Sequence, residues 1–550
     1  MEEIKKQALT ASLSFFVQES DRSENTFYKE KDKWLSKAET SKPELQYQSI
    51  SPLRIVKSIK DITAFQGWRI EDAGTTDQLY HVPFKEHPVI TVDFGNHYTG
   101  YIIFSIKAFS LMAANAPIRL KFTMAEMPAE LNTPFEPYPG TLASSWEQTE
   151  IITITEVPSI IILPRRLSGR YLKIELLGIS KEFDFVFDSL VFKTQTSAIG
   201  VPSSLAPQTD GLIQDIYRVG VNTLKECMQT VYEDGPKRDR RLWIGDLYLE
   251  SLTNAQTFRN HTLTKRCLYL LAACANADGM LHGTVLERPY PHPEYGILTL
   301  DYALLYNVTL LEYFKETKDR ETAEDLWTVV CRQIEIALGL FSSKRIYDAE
   351  KGARYWLVFD WNDEYDRQAS MQALMVFALR KSFELACLLG KEKEEFVECW
   401  PEIADELTVA ARKVFYDEES SVVVSGKNRQ ISWLSQAWMI ISGILNKKEG
   451  MMAMSTVMDM EKTCYPGCPY GWHYVMEALI ECGMAEEARS LLIGYWGDMV
   501  KRGADTFWEV YDPNNDTFSP YNFFPINSYC HAWSCTPVYF IRKYPEIFQK

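Results

Sequence analysis

The chain has 550 residues, 46% apolar and 24% charged, the mix of an ordinary globular protein of roughly two to four domains. Its 58 basic and 74 acidic side chains leave a net charge of −16, which repels phosphate backbones and argues against a nucleic-acid partner. No stretch approaches the roughly 18 consecutive apolar residues of a membrane span, so no membrane partner is expected.

Residues 1–17 carry Lys5 and Lys6 before a short apolar run, but also Glu2 and Glu3 and no small-x-small cleavage pattern. They are read as no signal peptide. Residues 1–50 are mostly polar and read as an N-terminal extension, partly β. From residue 51 to 196 apolar/polar alternation dominates, strict at 118–124 and repeated at 150–156, 171–176 and 183–187. Such runs predict an antiparallel β-sandwich domain. In Val92-Asp-Phe-Gly95 the glycine breaks a strand, which resumes over 101–106. Residues 197–210, with Gly200, Pro202, Ser203, Ser204 and Pro207, have the composition of a linker.

From 211 to 550 the period becomes helical. A helix is predicted over about 212–228, others over 302–314, 371–389 and 472–482, and Leu326, Val330, Ile334, Ala337 and Phe341 mark one face of another. Helix–turn–helix pairs without a fixed repeat, at roughly 25–30 residues per helix and loop, give about twelve helices. Six hairpins of that kind close into an (α/α)6 barrel whose loops line one funnel. All 11 cysteines lie between Cys227 and Cys535, an odd number in mostly apolar helical stretches. Free thiols in a reducing, cytoplasmic compartment explain this better than disulfides. Cys464 and Cys468 have no second Cys or His pair at zinc-finger spacing, and no metal or cofactor is expected.

Two acidic, aromatic-rich segments stand out. In 233–246, Asp234, Asp239 and Asp246 alternate with Arg238, Arg240, Arg241 and Trp243. In 503–511, Trp508 and Glu509 follow a helix that ends near residue 500. In a closed barrel the first and last hairpins are neighbours. Two carboxyl groups facing each other across a Trp-lined funnel are what glycoside hydrolysis requires. Asp360 and Trp361 form a further pair able to bind a hydroxyl and stack a ring, and His531 could donate to a hydroxyl or polarise Glu509. Structural readings compete: an Asp/Arg loop serves as a surface ion-pair network, and Asp360 as a helix cap. There is no GxSxG, P-loop, HExxH or helix-opening GxGxxG, so serine hydrolase, NTPase, zinc protease and dinucleotide binding lack support.

These residues resemble the α-L-rhamnosidases of glycoside hydrolase family 78. The resemblance rests on Asp234-Gly-Pro-Lys-Arg-Asp239 with Leu242-Trp243 and Gly245-Asp246, on Thr506-Phe-Trp-Glu509, on Cys530-His-Ala-Trp-Ser534, and on Phe359-Asp-Trp361. It implies a β-sandwich followed by an (α/α)6 catalytic barrel and hydrolysis with inversion, with Asp239 as general acid and Glu509 as general base. It further implies that Asp234, Arg238, Trp243, Asp246, Trp508 and, more weakly, Asp360, Trp361 and His531 bind the sugar. The chain departs from the family in having Asp239 where many members have Glu, and Gly235 where Cys is common. The 41 residues after Glu509 leave no room for the C-terminal sandwich of larger members, so a compact form is expected. The expected partner is a small glycoside or oligosaccharide, and self-association is left open. The rival readings are the same mechanism on another deoxysugar, a non-catalytic carbohydrate-binding protein, and an epimerase or lyase. The last class leans on His or Tyr bases, and the chain has only 8 His.

Overall fold

The computed structural model describes residues 26–109 and 114–550. The signal-peptide reading of residues 1–17 lies outside the described residues. The described part of the N-terminal segment, residues 26–50, is more helical than its polarity suggested. A helix spans Thr26–Thr40 and packs on the helix His261–Ala273. Trp34 on it is fully buried, and Arg266 donates to the Ala38 carbonyl at 2.6 Å. Among the described residues of this segment only β1 (Gln46–Ile50) supports the β expectation, by pairing with the last strand of the sheet.

Among the described residues nine strands, β1 to β9, form one antiparallel system. After β1 come β2 (Arg54–Lys60), β3 (Trp68–Gly74), β4 (Val89–Ala108), β5 (Ile118–Ala125), β6 (Thr149–Ile154), β7 (Ser159–Ile162), β8 (Leu167–Gly178) and β9 (Phe185–Thr196). The main path runs β1-β9-β4-β8-β5-β6, with β2 and β7 also paired to β4 and β3 to β2. In three of the four runs the alternation read from the sequence is the inward face: Ile118, Leu120, Phe122 and Met124 are all buried, as are Leu172, Ile174, Phe185 and Phe187, whereas in 150–156 only Ile154 is buried. The expected break at Gly95 is instead an irregularity inside the single long strand β4. Gly95 has φ +84°, and the pairing with β8 shifts between Asp93 and Tyr98. A glycine tolerates that conformation, so the strand bends and continues.

Fifteen α-helices follow between Gly211 and Phe548. Several are halves of one rod. Ala485–Leu491 continues through a π-helical turn, Leu492–Trp496, into Gly497–Lys501, which accounts for the lower number expected. Asp210 caps Gly211–Cys227 by accepting from the Leu212 amide, and Gly390 and Gly483, at φ +73° and +82°, end their helices in the left-handed conformation. Gly211–Cys227 packs against both Gly497–Lys501 and Pro537–Lys543, so the first of these helices meets the last but one. Residues 197–210 hold no helix or strand and are pinned at both ends. The Ser197 amide donates to Met228 at 2.7 Å, and the Ala206 amide to Gln549 at 3.2 Å.

The β-rich and helical parts share a buried, largely ionic seam. Arg170 holds Asp93 on one side and makes two 2.9 Å bonds to Asp505 on the other. Arg166 bonds Glu233 at 3.0 and 2.6 Å. Such fork-shaped guanidinium–carboxylate pairs fix orientation as well as contact. The seam runs beside both segments singled out in the sequence. Among the described residues no helix is long and apolar enough to cross a membrane.

Candidate active site

Residues 228–241 leave the helix Gly211–Cys227 as a loop that runs into β10 (Leu242–Trp243), which pairs with β11 (Thr284–Leu286) and through it β12 (His292–Pro293). Asp234 ties the loop's ends together. Its amide donates to the Arg241 carbonyl at 3.1 Å, and its carboxylate accepts the Arg241 amide at 3.0 Å. Gly235 is dictated by space. A Cβ there would lie 2.5 Å from the Arg238 carbonyl oxygen and 2.7 Å from Ser528 Oγ. Gly245 is equally hemmed in, 2.3 Å from the Tyr302 ring, and lets the helix Ile244–Ala255 start close beneath it. That helix presents Asp246 in its first turn.

The second segment reaches the same place from the far end of the chain. Glu509 is 2% exposed, and its carboxylate is held from three sides. Arg238 and the Ser528 amide, at 3.1 Å, donate to Oε2, and the Tyr521 hydroxyl donates to Oε1. Its backbone is clamped too, by the Ser528 carbonyl at 2.9 Å and Trp533 Nε1 at 3.0 Å. Arg238 is the hub. It is 2% exposed, donates to the Ile526 carbonyl at 2.7 Å, lies 4.4 Å above the Tyr521 ring, and reaches Asp239 Oδ1 at 3.6 Å with Nη1. One guanidinium therefore touches both Asp239 and Glu509. Asp239 is the more open of the two, its side chain 21% exposed.

The remaining polar groups are dry. Burial, then the charges of Asp239 and Asp246, push Asp234 well above the usual carboxyl range. Burial, then Glu509 and Asp239, do the same to Asp246. His531 faces Asp246 at 3.5 Å, and neither Nδ1 nor Asp246 Oδ1 has a hydrogen-bond partner. Burial and the Arg238 charge drive the His531 pKa well below 6.5, so this imidazole is neutral. Its ring lies 4.1 Å from that of Trp533.

Ring contacts run without interruption from Trp243 to Tyr302, Tyr470, Trp533, Trp361 and Tyr521, at centroid spacings of 5.5 to 6.4 Å. Trp243 and Trp361 are the two half-exposed members, and Trp361 Nε1 is buried without a partner. Of the ten residues predicted from sequence, Asp234, Arg238, Asp239, Trp243, Asp246, Trp361, Glu509 and His531 thus belong to one connected set.

Two do not fit the roles expected of them. Trp508 is 1% exposed and stacks on Phe65 at 4.5 Å, with Tyr511 and Tyr529 against it edge-on. It packs the seam with the β-rich part and offers no face to a sugar. Asp360 gives its carboxylate to the amides of Asn362, Gly467 and Cys468 at 3.2, 2.5 and 3.1 Å, and to Cys468 Sγ at 3.0 Å. It shapes the turn before Pro469–Cys482 rather than meeting a hydroxyl. Tyr521 was missed. Its sequence context carries no signal, because only the fold of residues 512–527 brings it to Glu509. Among the described residues no group of three or more His, Cys, Asp or Glu is arranged to hold a metal.

Residues 52–194 match the N-terminal domain of glycosyl hydrolase family 78 alpha-rhamnosidases, and residues 208–544 match the bacterial alpha-L-rhamnosidase six-hairpin glycosidase domain. A rhamnosidase from Klebsiella oxytoca with rhamnose bound is 35% identical, at a TM-score of 0.89 over 94% of this chain and 99% of that one. The family 78 rhamnosidase of Bacillus sp. GL1 is 20% identical, at a TM-score of 0.68 over 82% of this chain. The present chain spans 46% of its length, and this likeness concerns the fold alone. No curated protein matches the chain. With a family model over most of its length and a close structural relative over nearly all of it, the chain belongs to the α-L-rhamnosidases of glycoside hydrolase family 78 and is a glycoside hydrolase.

Proposed function

We propose that the protein hydrolyses terminal α-L-rhamnosides with inversion, Asp239 serving as general acid and Glu509 as general base. The observation that carries this reading is the single Arg238 guanidinium in contact with both carboxyl groups, one half-open and one buried. Protonated Asp239 gives its proton to the glycosidic oxygen as the C–O bond breaks. Ionised Glu509 takes a proton from the water that attacks the opposite face, so the products are the free sugar and the free alcohol. Three donors fix the orientation of the Glu509 carboxylate. Asp246, His531 and Trp361 then meet the sugar hydroxyls with their unpartnered buried atoms, and the Trp243–Tyr521 run of rings supplies the apolar wall that a 6-methyl group requires. The rhamnose in the K. oxytoca relative supports rhamnose as the sugar.

In the same reading residues 51–196 are a β-sandwich, 197–210 a linker and 211–550 an (α/α)6 barrel. The packing of Gly211–Cys227 on Pro537–Lys543 supports closure of the helical part. Proton NMR of the first sugar released from an α-rhamnoside tests the mechanism. The β-anomer is expected. First appearance of the α-anomer would make Glu509 a nucleophile and overturn inversion.

A further inference from the structure

Lys237, two residues before Asp239, does not point at the sugar site. Its side chain is 3% exposed and crosses the seam into the β-rich part. Its ammonium lies 3.0 Å from Glu126 Oε2, 3.1 Å from Glu130 Oε2 and 3.3 Å from the Pro525 carbonyl, and 5.1 Å from the centre of the Tyr529 ring. Glu126 follows β5 directly, and Glu130 sits in the 3-10 turn Pro128–Leu131. Glu126 does more than neutralise the lysine. Its Oε2 also accepts the Tyr529 amide at 2.7 Å, and its Oε1 meets His97 Nε2 at 2.9 Å. Tyr529 adjoins Ser528, whose amide and carbonyl hold Glu509. One carboxylate of the β-rich part thus grips the loop bearing the acid and the segment that holds the base.

Glu126, Lys237 and His97 carry the charge of this cluster. Burial works against a charged Glu126, but Lys237 and His97 outweigh it and hold the carboxyl below its usual range. Burial works against a charged His97, but Cys530 and Glu126 outweigh it and push the imidazole up to about 9. Buried ion clusters of this kind add little net stability over an apolar filling, but they hold geometry tightly.

We propose that Glu126 and Lys237 are positioning residues for catalysis. They use the β-rich part as the rigid body against which Asp239 is aimed at the glycosidic oxygen that Glu509 faces from the other side. The proposal rests on the reading of Asp239 as the acid. A merely structural pair would lower the amount of folded enzyme and reduce all substrates alike. A positioning pair weakens protonation selectively, so its loss depends on the leaving group.

The test is kcat/KM for a dinitrophenyl rhamnoside and for a rhamnosyl disaccharide, on folded wild type, Glu126→Gln, Asp239→Asn and the double variant. Glu126→Gln should lose about 10–100-fold on the disaccharide and only a few-fold on the aryl substrate, the scale of a misplacement near 1 Å. In the double variant the leaving-group penalty should not exceed that of Asp239→Asn alone, because Glu126 acts through Asp239. Selective loss in Asp239→Asn with equal losses in Glu126→Gln overturns this proposal alone. Equal losses in Asp239→Asn overturn the acid assignment and the proposal with it. If Glu126→Gln does not fold, Lys237→Arg, which keeps the charge on a longer arm, is measured by the same ratio. A ratio unchanged from wild type is then the refuting result.

Discussion

Replacing Asp239 with Asn separates chemistry from folding, because the structure assigns very different sizes to the two effects. The Asp239 carboxylate is 21% exposed and touches one charged group, Arg238 Nη1 at 3.6 Å. Arg238 keeps Glu509, the Ile526 carbonyl and the Tyr521 ring without it. Partly solvated ion pairs contribute about 1 kcal/mol or less, so Asp239→Asn should lower Tm by no more than about 2 °C in a protein of this size. Loss of the general acid costs about 10²–10⁴ in rate, or about 3–5 kcal/mol of barrier. That cost falls only where protonation is needed. The disaccharide should lose the full factor, and the dinitrophenyl rhamnoside, whose leaving group departs without a proton, should stay within about tenfold of wild type. Asp239→Glu should recover part of the disaccharide rate, because its carboxyl reaches one methylene further from the same backbone. Steady-state kinetics on both substrates and one melting curve decide the matter. Equal losses on both substrates with a clearly lower Tm would refute the assignment. The acid would then be Asp234 or Asp246, both pushed well above the usual carboxyl range by burial.

Glu509→Gln should cut turnover by about 10²–10⁴ on both substrates alike while still binding rhamnose. The amide can turn its oxygen to Arg238 and Ser528 and its nitrogen to Tyr521. Turnover within a few-fold of wild type would remove Glu509 from the mechanism. Burial, then the Glu126 charge, against the pull of Lys237, push the Glu130 carboxyl up from 4.5 to about 7. A raised carboxyl contributes stability at low pH that is lost as pH climbs through about 7, so the Tm of Glu130→Gln minus that of wild type should grow between pH 5 and 8. A difference that shrinks over that window would contradict the buried setting of Glu130. Phe65→Ala removes the ring stacked on Trp508 and should cost about 2 kcal/mol in denaturant melts with KM unchanged. A large rise in KM would return Trp508 to the sugar site.

The sequence was most legible where a local rule and the tertiary structure agree. Alternation in residues 118–124 marked the buried face of β5, and the helix predicted to end at residue 482 does so, at Gly483 in the left-handed conformation. The strand break at Gly95 was misread because a glycine at positive φ can bend a strand as well as end it. Asp234, Arg238, Asp239 and Asp246 were readable because four polar side chains of one short segment converge. Trp508 and Asp360 misled for a common reason. Tryptophan and aspartate next to a site look alike whether they face a ligand or brace the wall, and only partners distant in the chain, Phe65 and residues 467–468, tell the two apart. Tyr521, Glu126 and Glu130 were invisible for the same reason: each acts on a residue brought near by the fold alone.

Gly235 bears on engineering by family consensus. Installing the commonest family residue at each position usually adds a little stability, because random drift is more often harmful than adaptive. Cysteine, the residue that the family resemblance implies for this position, would set its Cβ 2.5 Å from the Arg238 carbonyl and 2.7 Å from Ser528 Oγ. The two groups it would push apart carry the guanidinium and the amide that both hold Glu509. A relative can host the larger residue only with a differently drawn loop, so position 235 changes together with the residues around 238 and 528 or not at all. A library that shuffles these segments independently will accumulate inactive members at this junction.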